Sequence, residues 1–284
     1  IAIVNLVNYK INMNKKLNQI NSHFPINFNS VIHLIKLIYK NKSPVRIFHN
    51  YFLKKIEIKG KTIDLGSGNH SSYLNYLTDN SDQIFFADRI EKNIVILGGS
   101  STSEVADILE IFLLKNGIKP NFLLSEYNKY YEEALFNTDD LVKFNPDFVY
   151  IHTTNKNILE YPDINHSEKD VQTLFANEIS RYSAIWNSLT QLNCPIIQNN
   201  FDYTNDRTLG NLDFSDIHGR TFFINKLNTE FSENARKNKN LYINDINYLS
   251  SYLGLRTWFD RSLWLHAKYA MSMNSIPELA FNIS

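Results

Sequence analysis

Ser100 has the setting that most directly suggests chemistry. NIVILGG, residues 93 to 99, is an apolar strand pattern ending in two glycines, and EVADILEIFLLKNG behind it has the spacing of an amphipathic helix. A serine in such a turn sits at the carboxyl end of a parallel sheet, where open α/β folds hold their ligands. Its hydroxyl can draw on the N–H groups of the helix start as oxyanion donors, the arrangement nucleophilic acyl chemistry needs. The alternative is structural, with Ser101, Thr102 or Ser103 simply capping the helix. A second constellation is KTIDLGSGN, residues 61 to 69, with QIFFAD further on. There Gly66 and Gly68 would let backbone approach a ligand beside Asp64, and Asp88, ending the next strand, would receive ribose hydroxyls. A third follows CPIIQNN, where Asn199, Asn200 and Asp202 would line a substrate, against a turn-capping alternative. Arg207 in the same loop could clamp a phosphate or carboxylate bidentately, or make a structural pair. His152 and His218 lack metal-ligand spacing and are expected in core or capping roles, so no metal site is expected. Cys194 reads as a buried structural thiol.

These residues need elements to position them. Strands are expected at residues 93–99, 121–127, 147–154 after the boundary Pro146, over CPIIQNN and over LYINDI. Helices are expected between them, over residues 104–117, the KYYEEAL segment, 167–192 with a Ser-Glu start, and 221–237. A short helix and a loop would finish the chain. Alternating strands and helices predict an α/β fold, a flavodoxin-like three-layer sandwich of about five parallel strands in the order 2-1-3-4-5. Upstream, residues 30–40 and 47–56 read as helices, followed by a strand, turn, helix, strand series that ends at Asp88. RIEK alone separates that strand from the one starting at Asn93, whereas a parallel crossover takes about 10–12 residues. Residues 1–90 are therefore predicted to be a separate, partial Rossmann-like unit with few contacts to residues 91–284.

Composition narrows the partners. The 284 residues allow one large or two small domains, and 43% hydrophobic with 20% charged residues is the balance of an ordinary folded chain. Twenty-nine basic residues offset twenty-nine acidic ones, so no overall field would draw nucleic acid or an anionic membrane. No apolar run reaches the roughly 18 residues of a membrane span; VIHLIKLIY is broken by His33 and Lys36. One cysteine excludes a disulfide framework, and the start lacks a secretory pattern, so a cytoplasmic setting is expected. The chain opens on Ile1 rather than Met and reads as a piece of a longer product.

ILGGSSTSE resembles the first block of SGNH (GDSL-type) hydrolases, with Ser100 as nucleophile and Gly99 where that family has Asp. The resemblance implies that Asn155, in YIHTTNKN, helps to hold the oxyanion, with Thr153 at the position of a glycine. It also implies His266, in WFDRSLWLHAKYAMS, as general base. Leu263 stands where the orienting acid belongs, which leaves Asp260 as the nearest acid, and SEYNKYY offers Asn128 at the second-block glycine. The order GGSSTSE, SEYNKYYEEALF, FNPDFVYIHTTNKNI, CPIIQNNFD, RTLGNLD and INDINYLSSYLGLRTWFDRSLW is similar to the N-terminal domain of FkbH-like proteins over residues 91–284. In that family a HAD-type phosphotransferase domain follows, but its Asp-x-Asp-x-Thr motif is absent here. The resemblance implies a domain that binds, and hydrolyses or transfers, an acyl or glyceryl group on an ester or carrier thioester, needing no cofactor. The alternative is a non-catalytic domain that docks an acyl-carrier protein or supports a HAD domain. TIDLGSGN resembles motif I of class I methyltransferases, which implies S-adenosylmethionine as the cofactor of a third alternative.

Overall fold

The computed structural model describes residues 55–58, 61–64 and 90–284, except 116 and 117. Strands β1 (Lys55–Ile58) and β2 (Lys61–Asp64) pair antiparallel, with Lys55 opposite Asp64 and Ile58 opposite Lys61. The helix expected over 47–56 therefore gives way to strand at residues 55 and 56. Asp64 closes β2, whose partner among the described residues is antiparallel β1. Gly66, Gly68 and Asp88 lie outside the described residues, as do the expected helix at 30–40 and the QIFFAD strand.

Five further strands form one sheet: β3 (Ile90–Gly98), β4 (Ile118–Leu124), β5 (Phe148–His152), β6 (Ile196–Asn199) and β7 (Leu241–Asn244). Their order, β4-β3-β5-β6-β7, is the predicted 2-1-3-4-5 counted from β3. Ile94 lies opposite Phe148, Val149 opposite Ile196 and Ile196 opposite Leu241, all in parallel ladders. Helices α1 (Ser103–Lys115), α2 (Tyr130–Leu135), α3 (Thr138–Phe144), α4 (Glu168–Leu189) and α5 (Arg220–Lys237) connect the strands. The chain ends through α6 (Ile246–Leu253), α7 (Leu255–Trp258), α8 (Arg261–Ala267) and α9 (Ile276–Ile283). This is a three-layer α/β fold with a parallel sheet.

Burial on both faces explains why the strands read as unbroken apolar runs. Val95, Leu97, Val149 and Ile151 join a core with Tyr182, Ile185 and Trp186 of α4 and Phe223, Leu227 and Phe231 of α5. The alternate positions Ile94, Ile96, Phe148 and Tyr150 are buried too. Ring centroids of Tyr182 and Trp186 each lie 4.9 Å from that of Phe231, edge-on. Ser167 opens α4 through a capping box, completed by Asp170.

Two boundaries differ from expectation. Ile90 to Lys92, read as linker, are the first residues of β3; the Asp147 carboxylate takes the Lys92 ammonium at 2.7 Å and the Asn93 N–H at 2.9 Å. Pro120, read as punctuation, lies inside β4, which an edge strand tolerates because one side needs no N–H donor. One compact unit is Lys92–Ala106 with Asn121–Leu279, and Asp107–Pro120 and Ala280–Ser284 fall in the other. The first of these holds all the candidate residues discussed below. No helix among the described residues is long and apolar enough to cross a membrane.

Candidate functional site

The turn after β3 is fixed from several sides. Gly98 N–H donates to Ser125 Oγ at 2.8 Å and Gly99 N–H to the His152 carbonyl at 2.9 Å. Ser101 donates its N–H to the Lys268 carbonyl at 3.0 Å and its hydroxyl to the Ala267 carbonyl at 2.7 Å. Ser100 between them is buried, and its Oγ has no hydrogen-bond partner among the described residues.

The turn after β5 supplies the second wall. Residues Asn155–Asn157 form a single 3-10 turn capped by Thr154, whose N–H donates to Asn157 Oδ1 at 3.0 Å. The Asn157 amide then donates to the Gly99 carbonyl at 2.8 Å, clamping the serine turn to this one, and reaches Asn128 Oδ1 at 3.4 Å. Asn128 occupies the left-handed region, φ 59°, where a glycine would be at ease. A Cβ on Gly99 would lie 2.3 Å from Asn157 Nδ2, so Asn157 occupies the space a side chain at 99 would need. Below it, Arg181 donates to the Asn157 carbonyl at 2.8 Å, to Glu178 at 2.5 and 3.1 Å, and to the Tyr130 hydroxyl. Burial opposes the Arg181 charge, but Tyr182, Glu178 and Tyr130 outweigh it and hold the guanidinium above its ordinary value.

Asn155 and Asp202, both expected at the site, are brought together. Asn155 N–H donates to one Asp202 oxygen at 2.8 Å, and the Trp258 indole donates to the other at 2.7 Å. Burial raises the Asp202 carboxyl above the usual carboxylate value, against those two bonds. Asn155 Nδ2 donates to the Tyr203 carbonyl at 3.4 Å, while its Oδ1 is buried without a partner among the described residues.

The remaining candidates are placed otherwise. His266 is exposed in the last turn of α8, and no hydrogen bond joins it to Ser100. Asp260 caps α8, accepting from Ser262 N–H at 2.8 Å and Leu263 N–H at 3.1 Å, and does not orient His266. Asn199 accepts from Tyr150 at 3.0 Å and from Asn244 at 2.7 Å and meets His152 Nδ1 at 3.1 Å. Asn200 donates to Asp245 at 2.7 Å and accepts from Asn247 N–H at 3.0 Å. Both asparagines serve internal networks in this arrangement. Arg207 is exposed. His218 bridges Asp216 and the His166 carbonyl, and no three metal-ligating side chains cluster among the described residues. Cys194 is buried.

His152 carries a pH dependence. Burial lowers its imidazole from 6.5 to about 4, so between those values the unfolded chain binds a proton that the folded chain refuses. Its contribution is fully present above pH 6.5 and is lost as pH falls towards 4, up to ~3 kcal/mol. Asp202 runs the other way: its raised carboxyl favours folding at low pH and loses that contribution as pH rises through its folded value. Urea unfolding at pH 7.0 and 4.5 should show a smaller pH loss in His152→Gln than in the parent. An equal loss in both would remove His152 as its source.

Asn157, Arg181 and Glu178 were missed in the sequence. One signal was present, a Glu and an Arg three residues apart on a helix face otherwise made of Val171, Leu174 and Ile185.

A buried serine at the carboxyl edge of a 2-1-3-4-5 parallel sheet is clamped to an asparagine turn after the third strand of a three-layer α/β domain. The chain belongs to the FkbH N-terminal domain family, whose profile matches residues 93–284. Among solved structures, the N-terminal part of a Bacteroides fragilis protein containing a phosphatase domain, complexed with Mg, shares 18% identity at a TM-score of 0.61. That alignment covers 68% of this chain and 50% of the other, so this chain spans about half of that structure. TesA aligns at 10% identity and TM-score 0.46, over 67% of this chain and 94% of its own. A GDSL-like lipase from Bacteroides thetaiotaomicron aligns at 14% and 0.40, over 75% and 95%. No curated protein matches the chain in sequence. The family match starts at residue 93 and so leaves out the TIDLGSGN segment that resembles a methyltransferase motif.

Proposed function

We propose that this domain holds an acyl or glyceryl group, offered as an ester or carrier thioester, beside Ser100 and Asn155, and that the arrangement described here binds that group without hydrolysing it. The observation that carries the reading is the pair of buried polar atoms without partners, Ser100 Oγ and Asn155 Oδ1, on two turns clamped together by Asn157. Each such atom costs about 1–3 kcal/mol until something pairs with it. A carbonyl oxygen would accept from the Ser100 hydroxyl, and a hydroxyl or amide N–H would donate to Asn155. Glyceryl esters carry both kinds of group, and an acyl thioester does so when its thiol side bears an amide, as in N-acetylcysteamine. Hydrolysis would further need an imidazole on Ser100 and a carboxylate behind it, whereas Asp260 is bonded to the start of its own helix.

One observation favours a second reading, acyl transfer. The carbonyls of Ala267 and Lys268 are bonded to Ser101, which fastens the last turn of α8, where His266 lies, beside the serine turn. In that reading His266 swings in to take the Ser100 proton, and the Ser100 N–H and the Asn155 amide hold the oxyanion. The two are separated by a chromogenic acetate ester, the acetyl thioester of N-acetylcysteamine, and a fluorophosphonate that tags activated serines. We expect the thioester to raise the unfolding temperature of the parent chain and not of Asn155→Ala, with no tag on Ser100. Ester cleavage that disappears in Ser100→Ala, or a tag on Ser100, would replace binding with acyl transfer.

A further inference from the structure

Three cations reach the carboxyl side of the sheet from three different connections. Lys156 lies in the turn after β5, Arg220 opens α5 after β6, and Arg261 opens α8 after β7. None of them forms an ion pair with a carboxylate among the described residues. Lys156 and Arg220 are half-buried. Each is held over an aromatic ring instead: the Lys156 ammonium lies 4.5 Å from the Phe259 centroid, and the Arg220 guanidinium 5.2 Å from that of Tyr161. Tyr161 ties this arrangement to the site, because its hydroxyl donates to the Asn155 carbonyl at 2.9 Å.

The charges share one neighbourhood. Burial lowers the Lys156 ammonium from its ordinary value; Asp202 and Asp206 raise it, and Arg220 and Arg261 lower it further. Asp202, whose oxygens accept from Asn155 and Trp258, forms no ion pair with Lys156 or Arg220 among the described residues. Asp206 is exposed. Asp213 lies against the start of α5, where it accepts from Thr221, and neither Lys156 nor Arg220 has a carboxylate partner for its side chain among the described residues; half-buried cations are retained at a cost unless an anion joins them. The buried Asn155 Oδ1, in the residue before Lys156, lacks a donor among the described residues, which places the hydroxyl or N–H of a ligand, and not its anionic group, against Asn155.

We infer that Lys156 and Arg220 form a subsite for an anionic group, a phosphate or a carboxylate, on the molecule whose polar end reaches Asn155. The inference rests on the binding reading above for the identity of that molecule, but not for the presence of the subsite, which a simple anion can test. Thermal unfolding and titration calorimetry of this chain would compare inorganic phosphate and acetate with chloride at equal ionic strength. The unfolding temperature should rise with phosphate or acetate beyond chloride, and the larger rise identifies the group. Lys156→Gln and Arg220→Gln should each weaken that binding about tenfold, a loss typical of one charge-assisted contact. Ser100→Ala should leave it unchanged while losing the acyl thioester, so the two proposals fail separately. An equal rise in the Lys156→Gln/Arg220→Gln double variant would overturn the inference. So would a parent chain that responds to neither anion beyond chloride.

Discussion

Replacing Arg181 with methionine is expected to destabilise the domain by about 3–5 kcal/mol, the loss that follows when one partner of a buried ion pair is removed. Methionine keeps most of the apolar stem but removes the donors to Glu178, to the Asn157 carbonyl and to the Tyr130 hydroxyl. Glu178 would then be a buried carboxylate without its guanidinium, since the two side chains are only 10% and 5% exposed. Adding Glu178→Gln to Arg181→Met should recover a large part of the loss, because a neutral amide is far cheaper to bury than an unpaired charge. Urea midpoints of the two singles and the double measure this directly. Additive losses would mean that the pair is not coupled. The network also supports the site: Arg181 holds the carbonyl of the residue whose amide clamps Gly99, so Arg181→Met should weaken thioester binding more than a remote variant of equal stability.

The sheet was legible in the sequence because its strands are buried on both sides. β3, β5 and β6 present short runs such as NIVIL, FVYI and PIIQ that admit little other than buried strand, and their carboxyl ends mark where Ser100, Asn155 and Asp202 must emerge. Local signals failed where tertiary contacts decide. Asp147, 55 residues away, holds Lys92 at the start of β3, a contact that no local pattern announces. The C-terminal segment, read as one short helix and a loop, is four helices of four to eight residues, too short for periodicity to separate; Gly254 at φ 86° and Lys268 at φ 58° punctuate them. Asp260 stands nearest to His266 among upstream acids, but an Asp ahead of Ser262 and Leu263 is equally a capping pattern, and capping is what it does. Two asparagines share TTNKN, and sequence alone does not say that one meets Asp202 while the other reaches back 58 residues to Gly99.

That second asparagine leads to the other large expected effect. In the first block of SGNH hydrolases an acid precedes the serine, whereas here Gly99 does, and Asn157 fills the space. Gly99 cannot retreat from an added methyl, because its N–H is bonded to His152 on one side and its carbonyl to Asn157 on the other. Gly99→Ala should therefore cost about 2–4 kcal/mol, the overpacking penalty of a rigid, buried turn. Asn157→Ala should also be costly, about 1–3 kcal/mol for each buried group it orphans, here the Gly99 carbonyl and the Thr154 N–H. If the two residues compete for one volume, the double variant loses the clash along with the amide, and its loss should fall short of the sum of the singles by about 1–3 kcal/mol. Urea unfolding of the four proteins yields that coupling. A coupling near zero would show that the turn accommodates a side chain at 99 by moving elsewhere, and that the glycine is not there to admit Asn157.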